Sequence, residues 1–311
     1  MNMMHKENGV TKDWKRFELG DQVLYVQPEI PDWIVISSDA DQLLSSKKND
    51  AASFYDRELL ENAFGMEPLH PYSGRAAALH LSKLKECWFH ITDVCNLSCR
   101  HCLFGASPAK TRSLAPELLE SAVQQALALD CRLFSFTGGE PFLYPDFLGF
   151  LRTLLTENKD VHAAVLTNGM LLDQFLDELG AIDKFHLQIS LDGLEKSHDG
   201  LRGKGSYKKL MENLVLMREA GIPFTLSMAI SSENIEDLLQ LVDIAAEVGA
   251  ASIHLLYHFV RGKGSQEQFI PPDTILPALL AAWRRATELG LSIDNIETLR
   301  SQIFSTPGTR Y

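Results

Sequence analysis

The chain has 311 residues, a formal charge of −12, and 45 % hydrophobic and 23 % charged residues, close to an ordinary globular composition. No apolar run approaches the roughly 20 residues of a membrane helix. Met1 to Gly20 is polar and mixed in charge, without the apolar stretch of a secretory signal, so a cytoplasmic location is expected. The acidic balance disfavours nonspecific binding to nucleic acid, which needs a basic face.

The length suits about two domains, and the first 82 residues differ from the rest. Short β-rich runs, Gln22 to Val26 and Trp33 to Ile36, are separated by turn residues at Gly20-Asp21, Pro28 and Pro31-Asp32. A helix is predicted from about Ala51 to Phe64, where Phe54, Leu59, Leu60 and Phe64 fall near helical spacing. Gly65 to Gly74 reads as a linker. Residues 1–82 are therefore expected to form a small α+β module joined to something larger.

From about Lys83, strand and helix alternate. Strands are predicted over Cys87–Thr92, Arg132–Thr137, His162–Thr167, Phe185–Leu191, Phe224–Ile230 and Ser252–Tyr257. Pro116 suits a first helical turn. Ser206 reads as the N-cap of a helix ending at Gly221, and Ser232 to Gly249 repeats that logic. A last helix runs from about Pro272 to Leu289. Six such units imply an α/β fold with a parallel sheet. Six are too few for a closed eight-fold barrel, so a partial (β/α)6 barrel is expected over 83–295. Its chemistry should gather at the carboxyl ends of the strands. Residues 296–311 read as the start of an extension continuing past Tyr311.

Five cysteines, an odd number without a secretion signal, do not suggest a disulfide framework. Three of them, Cys95, Cys99 and Cys102, follow the first barrel strand with the spacing C-x3-C-x2-C. Cubane iron–sulfur clusters normally take four cysteines, so three would leave one iron open to a non-protein ligand. A zinc knuckle is the alternative, with His101 or His90 as a fourth ligand. Cys87 and Cys131 open strands and read as small core hydrophobes. A second motif, Thr137-Gly138-Gly139-Glu140-Pro141, closes the next strand. Its glycines would let backbone approach a ligand closely, although the pair also suits an ordinary strand-to-helix turn.

Together these motifs resemble the radical S-adenosylmethionine (SAM) superfamily, over about residues 84–260. The resemblance implies a [4Fe–4S] cluster on Cys95, Cys99 and Cys102, with SAM chelating the fourth iron. It implies that His101 lies near the adenine and that Gly138, Gly139 and Glu140 receive the methionine amino group. Leu166-Thr167-Asn168-Gly169 resembles the family's TNG turn, making Asn168 a candidate contact, though Asn-Gly is also a strong turn former. Ile189 to Gly193 resembles its SLDG segment, which points to Ser190 at the SAM ribose or carboxylate with Asp192 nearby. His198 to Gly203 resembles its H-x3-R-G stretch, where Arg202 would neutralise the methionine carboxylate or else be a surface arginine. The implied chemistry is reductive cleavage of SAM to a 5′-deoxyadenosyl radical that abstracts hydrogen. The electron would come from a flavodoxin or ferredoxin, and no general acid–base pair stands out.

The module over about 14–64 resembles the winged-helix-like domain that binds leader peptides of ribosomally made natural products; a structural cap is the plainer reading. Thr137 to Asp146 resembles the SPASM/Twitch branch of peptide maturases, which carry a cysteine-rich C-terminal extension. This chain departs from that branch, having no cysteine after Cys131. The resemblance implies an oxidoreductase that modifies a precursor peptide. A sulfatase maturase, a small-molecule cofactor-biosynthesis enzyme and a non-catalytic peptide-binding scaffold are the alternatives.

Overall fold

The structure is a computed structural model that describes residues 14–27, 32–45, 60, 64 and 84–303. The chain divides into two compact units, Met1–Ser82 and Lys83–Tyr311.

In the smaller unit, β1 (Lys15–Leu19), β2 (Gln22–Gln27) and β3 (Asp32–Ser37) form an antiparallel sheet in chain order. Leu19 pairs with Gln22, so Gly20-Asp21 is a two-residue hairpin loop, and Gly20 supplies its positive φ of 62°. Helix α1 (Ser38–Ser45) follows directly. Strand alternation sends Val23, Tyr25 and Ile36 into a core with Trp14, Leu44 and Phe64, and leaves Phe17, Leu19, Trp33 and Val35 exposed on the other face. Asp41 on α1 accepts hydrogen bonds from Arg16 Nε at 3.0 Å, Arg16 Nη2 at 2.9 Å and the Tyr25 hydroxyl at 2.7 Å, which ties the helix to the sheet. The helix expected over Ala51 to Phe64 and the linker after it lie outside the described residues, apart from Leu60 and Phe64. Helix α1 was not expected. Its signal was Ser37, whose Oγ accepts from the Ala40 amide at 3.2 Å.

The larger unit is built on six parallel strands in chain order: β4 (Glu86–Thr92), β5 (Leu133–Gly138), β6 (His162–Thr167), β7 (Phe185–Ser190), β8 (Phe224–Ile230) and β9 (Ser252–Tyr257). Helices follow as α2 (Pro116–Ala128), α3 (Phe147–Glu157), α4 (Leu176–Gly180), α5 (Glu195–Arg202), α6 (Ser206–Glu219), α7 (Leu238–Glu247), α8 (Pro272–Glu288) and α9 (Asp294–Ile303). One set of alternate strand residues, including Phe136, Val165, Ile189, Leu226 and Ile253, packs with helix residues such as Leu119, Leu151 and Leu214 in a single apolar core. The opposite set is polar and bonded sideways from strand to strand. Ser135 donates to Glu86 at 3.0 Å, Gln188 donates to Ser227 at 3.1 Å, and Thr225 bridges His186 at 2.7 Å and Ser252 at 2.6 Å. One face of the sheet is thus sealed by helices while the other can meet a polar ligand. This is the partial barrel of six parallel strands that the alternation implied. No helix among the described residues is long and apolar enough to cross a membrane.

Three boundaries differ from expectation for local reasons. Ser206 is the first residue of α6, not its cap; Gly205 precedes it at φ 83°. The acceptor is Asp199, which takes the Gly205 amide at 2.6 Å, the Tyr207 amide at 2.8 Å and the Ser206 hydroxyl at 3.2 Å. The stretch expected as one helix from Ser232 becomes a 3-10 turn, Ile235–Asp237, leading into α7, because Asn234 folds back on Ser231 and the chain turns there. The expected boundary at 295/296 falls inside α9. The first turn of α9 is stitched to β9 by Asn295, whose amide donates to Leu255 O at 2.7 Å, so this helix belongs to the larger unit.

Burial pushes the Asp199 carboxyl up, but its three donors win and hold it below the usual carboxylate range. Such a depressed group stabilises fully above its unfolded pKa and loses that contribution as pH falls through the folded one. Asp199→Ala should therefore cost about 1 kcal/mol in urea unfolding at neutral pH. The difference from the parent should shrink below about pH 4.

Candidate active site

Strand β4 ends at Thr92, and the segment from Asp93 to Arg112 returns to it through bridges from Thr92 to Ser113 and Val94 to Ser107. Strand β5 ends beside it at Gly138. The Gly139 amide donates to Thr92 O at 2.6 Å and the Glu140 amide to Val94 O at 2.9 Å. A Cβ at position 138 would stand 2.4 Å from Thr92 O, and one at position 139 only 2.1 Å from Val94 O. Gly138 also has φ 148°. The expectation that these glycines admit a ligand's approach is therefore refined: what presses on them is the chain's own backbone, where the cysteine loop begins.

The loop is held from three further sides. The Arg100 amide donates to Leu201 O at 2.9 Å, and its guanidinium pairs with Glu233 at 2.6 Å. Cys95 Sγ accepts from the Leu97 amide at 3.4 Å and from the Asn168 side-chain amide at 3.6 Å. From the segment after β9, the Lys263 amide donates to Cys102 O at 2.9 Å. Lys263 Nζ reaches Ser98 Oγ at 2.9 Å and Ala106 O at 3.3 Å. Gly262, at φ 66°, lies so close that a Cβ would stand 2.2 Å from Leu103 O. Neither Gly262 nor Lys263 stood out in the sequence, because their partners are about 160 residues away.

Cys95, Cys99 and Cys102 line one cavity of about 410 Å³ together with His101, Gly138, Gly139, Asn168, Ser190 and Arg202. Exposed Trp88, Phe104 and Phe259 give it an apolar rim. His90, the other candidate fourth ligand, is instead bonded to Asp93 at 2.8 Å and packs on the Phe104 ring. Cys87 and Cys131 do not line the cavity; Cys131 is buried and Cys87 packs at the core edge.

Two expected contacts stand behind the wall. Glu140 is fully buried, and its carboxylate accepts from Thr167 Oγ1 at 2.8 Å, the Asn168 amide at 2.9 Å and the Phe142 amide at 3.3 Å. Burial pushes it up to about 7 against those donors. It fixes the turn that carries Asn168. Asp192, also fully buried, accepts from Arg202 Nε at 2.5 Å, His101 Nε2 at 3.0 Å and the Ala229 amide at 3.0 Å. Burial alone would raise the Asp192 carboxyl, but the Arg202 and His101 charges hold it below the usual range. Its own amide donates to His198 Nδ1 at 3.0 Å, and burial with the Arg202 charge pushes that imidazole down to about 4. His198 is thus a neutral acceptor, and Arg202 is aimed by Asp192.

The donor set suits an iron–sulfur cluster with a polar co-ligand. Burial raises the Cys95 thiol to about 11 and the Cys99 thiol upward, the latter against the Arg202 charge, so the sulfurs ionise on binding metal. No three His, Cys, Asp or Glu among the described residues converge on a single metal ion. A cubane asks for no such convergence, since each thiolate meets its own iron. His101 Nδ1 is buried without a partner, an acceptor or donor left for a ligand. His254 also lines the cavity and is bonded through Nδ1 to Asp294 at 2.6 Å. Sequence spacing gave no sign of this pair.

Gly139→Ala should lower stability by several kcal/mol in urea unfolding, since a methyl there must displace backbone rather than a mobile side chain. Lys263→Met should leave the unfolding midpoint nearly unchanged but speed limited proteolysis between Cys95 and Lys110, and Lys263→Arg should restore protection.

A family model described as the radical SAM superfamily matches residues 89–245. The chain is 26 % identical to the AdoMet-dependent heme synthase of Methanosarcina barkeri, covering 59 % of this chain and 53 % of that one. It is 28 % identical to the sporulation killing factor maturation protein SkfB of Bacillus subtilis, over 59 % of this chain and 44 % of that one. The chain thus spans about half the length of these relatives. The structure of Streptococcus suis SuiB bound to precursor peptide SuiA has the same fold, with a TM-score of 0.60 and 18 % identity, covering 90 % of this chain and 70 % of that one. Members of this family are enzymes that use a [4Fe–4S] cluster and SAM. On the strength of that match, and of the fold and cavity that agree with it, the chain belongs to the radical SAM superfamily.

Proposed function

We propose that this chain is a peptide maturase, in which Cys95, Cys99 and Cys102 hold the cluster and the cavity beside them holds SAM against a ribosomally made precursor peptide. The carrying observation is the single cavity that joins three thiols to Gly138, Gly139, Asn168, Ser190 and Arg202. When bound, the cluster and SAM supply one-electron cleavage of the C5′–S bond and a carbon radical that takes a substrate hydrogen.

The residues' own parts follow from their bonds. Asn168 and the Leu97 amide donate to the Cys95 sulfur, which stabilises its charged form. Asp192 occupies Arg202 Nε, leaving the two terminal nitrogens to take the SAM carboxylate. His101 is pinned through Nε2 and keeps a buried Nδ1 without a partner, which would serve the adenine of bound SAM. Ser190 offers a hydroxyl to the ribose or carboxylate. Gly138 and Gly139 present their backbone to the methionine amino group, with Glu140 acting from behind them. The apolar rim excludes water from a reactive intermediate.

Three supports favour a peptide as substrate. SkfB is named for maturation, and SuiB was solved with a precursor peptide. The likeness to SuiB covers more of the chain than the larger unit alone, so it takes in part of the smaller one. Among its described residues that unit holds a three-stranded antiparallel sheet with β1 and β3 as its outer strands, to either of which an extended leader could add as a further strand. The relative named for heme synthesis supports the rival, a small-molecule substrate. Reconstituted enzyme, SAM and reductant should therefore be incubated with peptides encoded beside its gene, followed by mass spectrometry. One such peptide, deuterated, should pass deuterium to 5′-deoxyadenosine and change in mass. Label passing only from small molecules would contradict the peptide reading.

A further inference from the structure

In a chain of charge −12, the stretch from Val94 to Pro116 contains no acidic residue but carries Arg100, Lys110 and Arg112. The segment after β9 behaves alike: Leu256 to Gln266 has Arg261 and Lys263 and no acid. These segments form one surface. Lys263 Nζ touches Ser98 and Ala106, and Gly262 presses on the Cys102 and Leu103 carbonyls. Arg100, Lys110, Arg112, Arg261 and Lys263 are all exposed. Arg100 is balanced by Glu233 and Arg112 by Asp93, and Glu267 stands nearby on Ser265. Lys110 and Arg261 have no acidic partner among the described residues, and Lys263 bonds only to neutral groups. The surface is therefore locally positive on a negative molecule.

We propose that this basic face around the cysteine loop is the docking site of an acidic one-electron carrier protein. An acidic carrier is repelled by the molecule as a whole and drawn to this face, which orients the encounter. The face is also the outer side of the loop that bears the thiols: Ser98 adjoins Cys99, and Lys263 binds the Cys102 carbonyl. The carrier loses one electron and the cluster gains it, with no proton or bond exchanged. The small, weak interfaces of electron-transfer pairs suit a patch of this extent. The inference uses only the cluster, so it stands whether the substrate is a peptide or a small molecule.

The test uses the cluster-loaded enzyme and flavodoxin hydroquinone, following cluster reduction by stopped-flow absorbance and binding by flavin fluorescence anisotropy. The control reductant is methyl viologen radical, a small cation that needs no docking. The double variant Lys110→Glu with Arg261→Glu changes neither a cysteine nor a SAM contact. It should slow reduction by flavodoxin about tenfold at low salt and weaken binding in parallel. Reduction by methyl viologen should stay the same or quicken. Raised salt should slow the parent's reaction with flavodoxin and narrow the gap between parent and variant. A flavodoxin rate unchanged by the double variant, a parent rate independent of salt, or equal slowing with both reductants would overturn the proposal.

Discussion

No side chain can stand between the end of β5 and the start of the cysteine loop. Gly138 and Gly139 lie against the Thr92 and Val94 carbonyls at distances that exclude a Cβ, and two amides are bonded across the gap. That contact fixes where the loop leaves the sheet and hence which way its three thiols face. It also places the backbone of β5's end on the same cavity wall as the sulfurs. Family membership supplies the cluster and SAM; this contact explains why one short loop can serve both.

The rest of the wall is kept in place by charge in a dry setting. Asp192 binds Arg202 and His101 together, both of which line the cavity while Asp192 does not. Glu140 does the same for the turn bearing Asn168. In each case a buried carboxylate spends its lone pairs inside the protein and orients a neighbour that can reach a ligand. Carboxylates whose acceptors are taken up in this way are rigid, and a site for radical chemistry needs its parts held to fractions of an ångström.

What was legible in the sequence followed from repetition and local chemistry. His162–Thr167, Phe224–Ile230 and Ser252–Tyr257 read as strands to the residue, because apolar runs between turn signals need no distant partner to declare themselves. The cysteine spacing and the paired glycines were legible for the same reason. The misses are long-range or short. The Gly262-Lys263 latch and the His254–Asp294 pair exist only once β9 has been brought beside the loop and α9. Helices α1 and α9 are short and polar, and the side chains that hold them, such as Ser37, Asp41, Asp294 and Asn295, carry no periodic signal. The sequence marked Glu140 and Asp192 as candidate contacts, but their place behind the wall depends on donors from other strands.

The most direct measurement is electron paramagnetic resonance of the anaerobically reconstituted and reduced protein, with and without SAM, in the parent and in a chain with Cys95, Cys99 and Cys102 all changed to alanine. The expected result is a reduced [4Fe–4S] signal in the parent that shifts when SAM is added, because SAM occupies the iron that no cysteine holds, and no cluster signal in the triple variant. A parent signal indifferent to SAM, or a cluster that survives loss of all three cysteines, would contradict the assignment of this cavity.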